Sequence, residues 1–578
     1  VPAAPAGSAA DAGAAAGAGP VAVAGAARSG GWTVIAARYG PAAAAAAAMA
    51  VTGLWGLARD SAMGNDEVVS RWAALLSLRQ LAHLLRRVDA VHGLYYLLLH
   101  GWMAAGTSPA VIRVPSVIAM IVAAALVVIL GRRLTGSGWA GLFAGLIMVL
   151  TPSITFYAQT ARSYALVFAC VLAQTLVLLH ALAAEAGGGT RRQITRRWVS
   201  YAALVVLAGY LNEMSLLVLA AHAVTVLLAR YGRQALTHWA LASAAGAVVI
   251  APLLALSVKE HGALGWISRP GLRDVWILYH DYFGATIVVP VIIAVCAAVA
   301  LLPPRGWRRR GAEAGPAGAA GTAGAAGTAG PAGAAGTAGT AGTAGAETGG
   351  SAWWSGGISL PSVAAPLLVI PAALLFVESL VGPKLYVDRY VLYGEAGAAL
   401  LAGAGVYRIG GWLAGRLGAR PGRQALIWAP AAVVCVCALV LQLGQQQRIR
   451  TPASRLYNFG GGANLVGADS KPGDGVLYFG SFYRKTELGY PADFRNASDF
   501  SLAVPPVVAN PFKGIDKPAG TVLSLMPSHP RIWVIGRRPS ATLPAGPMRD
   551  ESLVLLRDFS RVAVHSYRGI WVTLWVRR

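Results

Sequence analysis

PSVIAMIVAAALVVILGRRLTG, Pro115 to Gly136, carries the two signals that decide the fold: an apolar run and, at its end, Arg132-Arg133. Crossing a hydrocarbon core takes about 20 such residues. Comparable runs cover 41–57, 110–130, 139–157, 165–183, 199–211, 214–229, 239–257, 284–302, 358–381, 391–407 and 425–444. Further Arg clusters lie between them, at Arg191 to Arg197, Arg230 to Arg233, Arg305 to Arg310 and Arg408 to Arg423. Short basic loops stay cytoplasmic. The remaining connections then face outwards, where GNDEVVSR (Gly64 to Arg71), HGLYYLLLHGW (His92 to Trp102), FYAQTARSYAL (Phe156 to Leu166) and YVDRYVLY (Tyr386 to Tyr393) fall. A site on that side has no nucleotide supply.

Composition agrees. Of 578 residues, 56% are hydrophobic and 12% charged, about half the charged fraction of a soluble domain. The expectation is a polytopic all-α membrane protein in the plasma membrane, with about 11 spans. The net charge of +24 sits largely in juxtamembrane loops, where it orients spans and meets anionic lipid, not nucleic acid. Cys170, Cys296, Cys435 and Cys437 fall inside the expected spans, so no disulfide framework is expected. No cofactor and no metal-ligand motif is read, a divalent metal being left open.

Residues 1–40 read as a disordered Ala/Gly-rich cytoplasmic tail, and 41–445 as the transmembrane domain. Within it, 311–350 repeats GTAGAAGTAG-like units and reads as a flexible inner-side linker. After the first span, Val68, Val69, Trp72, Leu75, Leu76 and Leu81 recur near helical spacing behind Asn65, a candidate N-cap. Such a helix lies in the interface. The run Leu94 to Ala105 is too short to cross and reads as a second juxtamembrane helix. Residues 446–578 turn polar, with strand-like runs at Gly475 to Phe479, Arg531 to Ile535, Arg561 to Val564 and Gly569 to Val576. They read as an extracytoplasmic α/β domain.

Asp66-Glu67 opens the interfacial helix. Alone, the pair reads as acids complementing a helix dipole; followed by Arg71 and facing the other outer motifs, it reads as a carboxylate able to take a proton from a hydroxyl. Tyr157 and Tyr164 suit an aromatic belt, but Arg162 runs against the charge bias, and guanidinium suits phosphate. Arg389 repeats the pattern, its plain reading being a surface pair with Asp388. His92, Tyr157, Tyr390, His280 and Asp281 are candidates to line the cavity.

GNDEVVS, HGLYYLLLHGW, GRRLTG, FYAQTARSYAL and DRYVLY, in that order, resemble the motifs of glycosyltransferase family 39-like membrane enzymes. These include protein O-mannosyltransferases, aminoarabinose transferases and actinobacterial mannosyltransferases. The resemblance spans residues 40–445 and extends to the C-terminal domain. It implies the GT-C fold and a polyprenyl-phosphate sugar donor, mannose first among the sugars, with an extracytoplasmic glycan, lipid or protein as acceptor. Asp66 would be the catalytic carboxylate and Glu67 its support, while Arg162 and Arg389 would bind the donor phosphate. His92 stands before a segment where relatives have Pro-Pro-Leu-Tyr and this chain has Gly93; Asn212-Glu213 also departs from the family. One catalytic carboxylate favours a single inverting displacement, since a double displacement needs a second across the sugar. The competing classes are a lipid-linked sugar flippase, which calls for inverted repeats and mid-membrane charges, and a non-catalytic envelope assembly protein.

Overall fold

The computed structural model describes residues 23–58, 62–259, 267–283, 286–302, 357–416, 425–509, 512–538, 543–544 and 546–578. The first 22 residues and the 311–350 linker lie outside them.

A helix stands over every expected span. The first, Val23–Leu54, begins well before Pro41, so helix reaches back into the stretch read as a disordered tail. Its Ala-rich body is the best of helix formers. Pro109–Thr135, Tyr164–Ala186, Gly232–Lys259, Leu360–Val381 and Trp428–Ile449 are long and apolar enough to cross a membrane, as are Gly138–Leu150 and Pro152–Ala158 taken as one bent span. Other runs form shorter helices or helices that begin among charges, such as Arg191–Leu211. The chain is a mostly helical multi-pass membrane protein with a small C-terminal sheet.

Helices in lipid gain little from hydrophobic burial against one another, so close backbone approach carries the packing. A Cβ added at Gly141 would stand 2.4 Å from the Val128 carbonyl oxygen, and one at Gly405 would stand 1.8 Å from that of Cys296. Both crossings exist only because these residues have no side chain.

Three features position the site. Between the first span and Pro109–Thr135, the chain forms Asn65–Leu75, Leu78–Leu85 and Gly93–Trp102. Each is too short to cross. The N-cap of the first is Gly64, not Asn65, which is already helical. Second, Thr151 is extended and Pro152 starts a new helix, bending the pair by 70°; proline has no N–H to continue the preceding helix and disfavours helical backbone before it. The bend sends Tyr157 and the Gln159 to Ser163 turn across one end of the bundle. Third, the chain leaving Ala425–Ile449 is bound to that same end. Arg450 donates to the carbonyls of Thr52 (2.7 Å) and Trp55 (2.6 Å) and lies 3.9 Å over the Trp55 ring.

The C-terminal domain follows. Its strands β1 (Asp474–Tyr478), β2 (Ala497–Asp499), β5 (Arg531–Gly536), β6 (Phe559–Tyr567) and β7 (Ile570–Arg577) form one sheet in the order β2-β1-β5-β7-β6, while β3 (Leu502–Val504) and β4 (Ile515–Asp516) pair separately. β1 runs parallel to β2 and β5, and β5, β7 and β6 are antiparallel. All of β1 is buried, as a strand covered on both faces must be.

Candidate active site

Asp66 and Glu67 are neighbours in sequence but point about 100° apart around a helix, and their surroundings differ completely. Glu67 is 0% exposed. It takes Arg113 Nε at 2.8 Å and Nη2 at 3.1 Å, Arg455 Nη2 at 3.4 Å, and the backbone N–H groups of Gly64 (2.8 Å) and Ala161 (3.0 Å). Burial alone would raise its pKa, but Arg113 and then Arg455 outweigh that and hold it at about 2. No acceptor site is left over for a substrate. Glu67 therefore does its supporting by clamping the start of the Asn65–Leu75 helix, the 159–163 turn and the C-terminal connection, not by sharing in chemistry.

Asp66 is half-buried at the mouth of a charged cluster. Its Oδ1 takes a hydrogen bond from Asn65 Nδ2 (3.1 Å). Burial pushes this carboxyl upward, yet Arg389, Arg162, His92 and Lys485 together hold it at about 2. At neutral pH it is ionised and faces cations from three separate parts of the chain, Arg389, Arg162 and Lys485.

Arg162 is 7% exposed, on the turn after the bent helix. Its Nη1 donates to Tyr96 Oη (2.8 Å) and Ser70 Oγ (3.2 Å), and its Nη2 to Asp89 Oδ2 (3.4 Å). Its Nε is buried without a hydrogen-bond partner among the described residues. A guanidinium N–H so placed costs free energy unless something fills the position. Asp89, which the sequence reading did not single out, also accepts from the Tyr96 hydroxyl and adopts a left-handed backbone (φ 61°), which Asp tolerates better than most residues. Burial is the largest influence and raises its pKa, but Arg162, His92 and the Tyr96 hydroxyl bond together more than offset it, leaving the carboxylate ionised.

His92 is buried 3.9 Å from Asp89 and 3.4 Å from Ser163 Oγ. Burial and then Arg162 push its pKa down to about 4, so it is a neutral imidazole in the working range. The Gly93 that replaces prolines packs at the start of Gly93–Trp102, where a Cβ would meet Leu85 at 3.0 Å. Arg389, in the turn Asp388–Gly394, donates from Nε to Tyr164 Oη (3.0 Å) and lies over the Tyr164 and Tyr390 rings. The Asp388 carboxylate accepts from Tyr157 Oη (2.9 Å). Asp66, Arg162, His92, Arg389, Tyr157 and Tyr390 thus share one region. His280 is half-buried on Leu272–Phe283, and the side chain of Asp281 lies outside the described residues.

Asp89, Arg113, Arg455 and Lys485 complete the cluster. Only Asp89 carried a local signal, its place three residues before His92. The other three are recruited from distant parts of the chain.

No family model matches the sequence. No curated protein matches it either. Among solved structures, the crystal structure of ArnT from Cupriavidus metallidurans in the apo state superposes with a TM-score of 0.50 at 13% identity, covering 95% of this chain and 98% of that one. The same protein bound to undecaprenyl phosphate gives 0.50 at 12%, covering 94% and 98%. The likeness is one of fold: this chain has the GT-C fold.

Proposed function

We propose that this chain is a membrane glycosyltransferase, passing a sugar from a polyprenyl-phosphate donor to a hydroxyl of an acceptor on the outer side of the membrane. The observation that carries the reading is the pair of guanidiniums, Arg162 and Arg389, gathered around one ionised carboxylate, with Arg162 Nε lacking a hydrogen-bond partner among the described residues. That arrangement suits a phosphodiester beside a proton acceptor. The neighbour of the same fold that binds undecaprenyl phosphate makes a polyprenyl phosphate the natural candidate. The acceptor oxygen attacks the anomeric carbon, its proton goes to Asp66, and the bond from that carbon to the phosphate oxygen breaks. Polyprenyl phosphate leaves with an added negative charge, which fixed guanidiniums stabilise. Displacement from the opposite face inverts the anomeric centre. Mannose is the proposed sugar, and a cell-envelope glycan, lipid or protein the acceptor.

A carboxylate held near 2 is a weak base. Donor binding supplies the correction: an anion between Arg162 and Arg389 cancels part of the field that depresses Asp66, so the base strengthens when the donor is in place. The acid limb of kcat, which reports the complex, then lies at higher pH than that of kcat/KM, which reports the free enzyme. The sidedness follows from the Arg clusters. Arg132 and Arg133 close the far end of Pro109–Thr135, whose near end holds Ser116 bonded to the Thr160 carbonyl (2.8 Å) at the site. Positive-inside orientation puts the far end in the cytosol.

The test uses purified protein and radiolabelled polyprenyl-phosphate mannose, followed through release of the lipid phosphate. Asp66→Asn keeps the shape and cannot take the proton; turnover is expected to fall by about 10²–10⁴ with donor binding retained. Transfer at the normal rate by this variant removes Asp66 as the base.

A further inference from the structure

Residues 446–578 supply two charged residues to the cluster: Arg455, bound to Glu67, and Lys485, close to Asp66. Lys485 starts the short helix Lys485–Gly489, which packs on Asn65–Leu75. The packing is tight and specific. Arg71 Nη1 donates to the Gly489 carbonyl (2.9 Å), and the Met63 N–H donates to Tyr490 Oη (2.7 Å). A Cβ at Gly489 would come 2.9 Å from Val68. Lys485 itself is 8% exposed; its Nζ lies 4.7 Å from the Phe482 ring centre and 2.6 Å from Asn65 Oδ1.

Asn65 faces two ways. An ammonium only donates and a carboxylate only accepts, so the amide turns its oxygen to Lys485 and its NH2 to Asp66 Oδ1 at 3.1 Å. The result is a chain of two hydrogen bonds, from the C-terminal domain through Asn65 to the carboxylate. Reversal of the amide would set like against like at both ends. We propose that Lys485 is a positioning residue for the transfer reaction: acting through Asn65, it locks the orientation of Asp66, and so makes proton removal from the acceptor depend on docking of the C-terminal domain. The inference rests on the reading of Asp66 as base.

The electrostatics are consistent with this. Asp66, Lys513, Arg162 and Asp89 all face Lys485; burial is the largest influence and pushes its ammonium down to about 8, against the pull of Asp66. Lys485 in turn is one of the cations that lower Asp66.

Lys485→Met keeps the aliphatic stem and deletes the charge. Its kcat is expected to fall by about 10²-fold, the scale of a misplaced reacting group, while donor Kd is unchanged. The acid limb of its pH profile is expected to move to higher pH, because Asp66 loses a neighbouring cation. Lys485→Arg is expected to restore most of the rate, which also answers a variant that folds poorly. Asn65→Ala is expected to match Lys485→Met, and the double variant to be no slower than either, since one chain of contacts is cut twice. Normal kcat in Lys485→Met, with Asp66→Asn inactive, overturns the positioning role and leaves the base in place. Weaker donor binding with unchanged kcat also overturns it, making Lys485 a phosphate ligand. Full activity in Asp66→Asn overturns the underlying reading instead.

Discussion

At the scale of single residues, the adjacent acids test the division of labour most sharply. Glu67→Gln leaves Arg113 buried without its counter-charge, and removal of one partner of a buried pair costs about 3–5 kcal/mol. Thermal unfolding of the detergent-solubilised variant is expected to drop accordingly, and by more than that of Asp66→Asn, whose carboxylate is half-buried with one side-chain hydrogen bond. The pH dependence has a definite sign. Glu67 is depressed from an ordinary 4.5 to about 2 in the folded protein, so its contribution to stability is complete above 4.5 and disappears as pH falls through 2. Melting against pH checks it: the Glu67→Gln variant is expected to show a smaller acid-dependent step, the part that remains including that of Asp66. Arg162 has a different signature. Arg162→Ala removes charge-assisted contacts to the donor worth about 1.5–3 kcal/mol, read as weaker binding of the polyprenyl-phosphate sugar; undiminished affinity leaves Arg162 only its bonds to Tyr96, Ser70 and Asp89. Asp66, Arg162 and Arg389 could be singled out from sequence because an acidic pair and two arginines away from the basic clusters break the charge pattern of a membrane protein. The separate tasks of Asp66 and Glu67 could not, since partners such as Arg113 and Arg455 are set by tertiary packing.

Among elements, the helix crossings make a paired prediction within one helix. Gly405 and Gly411 both lie in Glu395–Arg416. A Cβ at Gly405 runs into the Cys296 carbonyl, whereas one at Gly411 meets nothing within 4 Å. Gly405→Ala is expected to force the helices apart at a cost of about 1–3 kcal/mol, and Gly411→Ala to be neutral or stabilising by about 0.5–1 kcal/mol. Equal melting temperatures for the two would contradict the close crossing. Spans were readable because twenty apolar residues have few alternatives to crossing. The break at Thr151-Pro152 was hidden inside the run 139–157: hydropathy records the apolar length, and the bend appears only in backbone geometry. The short strand β2 escaped for a related reason, three residues being too few for an alternating pattern.

For the whole molecule, the arrangement in the membrane is the testable property. With Cys170, Cys296, Cys435 and Cys437 replaced, an impermeant thiol reagent applied outside intact cells is expected to label Ser524→Cys, exposed in the C-terminal domain, and to spare Thr340→Cys in the Gly/Ala repeat. The opposite pattern would invert the topology and move the site to the cytosol. The clamp on Glu67 also bears on how the protein comes into being. Its contacts come from Gly64, Arg113, Ala161 and Arg455, so a ribosome that has made the first 300 residues has released the acid and three of its partners without the last. During synthesis the nascent chain holds an unfinished charge cluster, which is completed only when Arg455, after the helix Ala425–Ile449, has been made. A chain cut short before that point keeps the Glu67–Arg113 pair but lacks the Arg455 contact that ties the following segment to it.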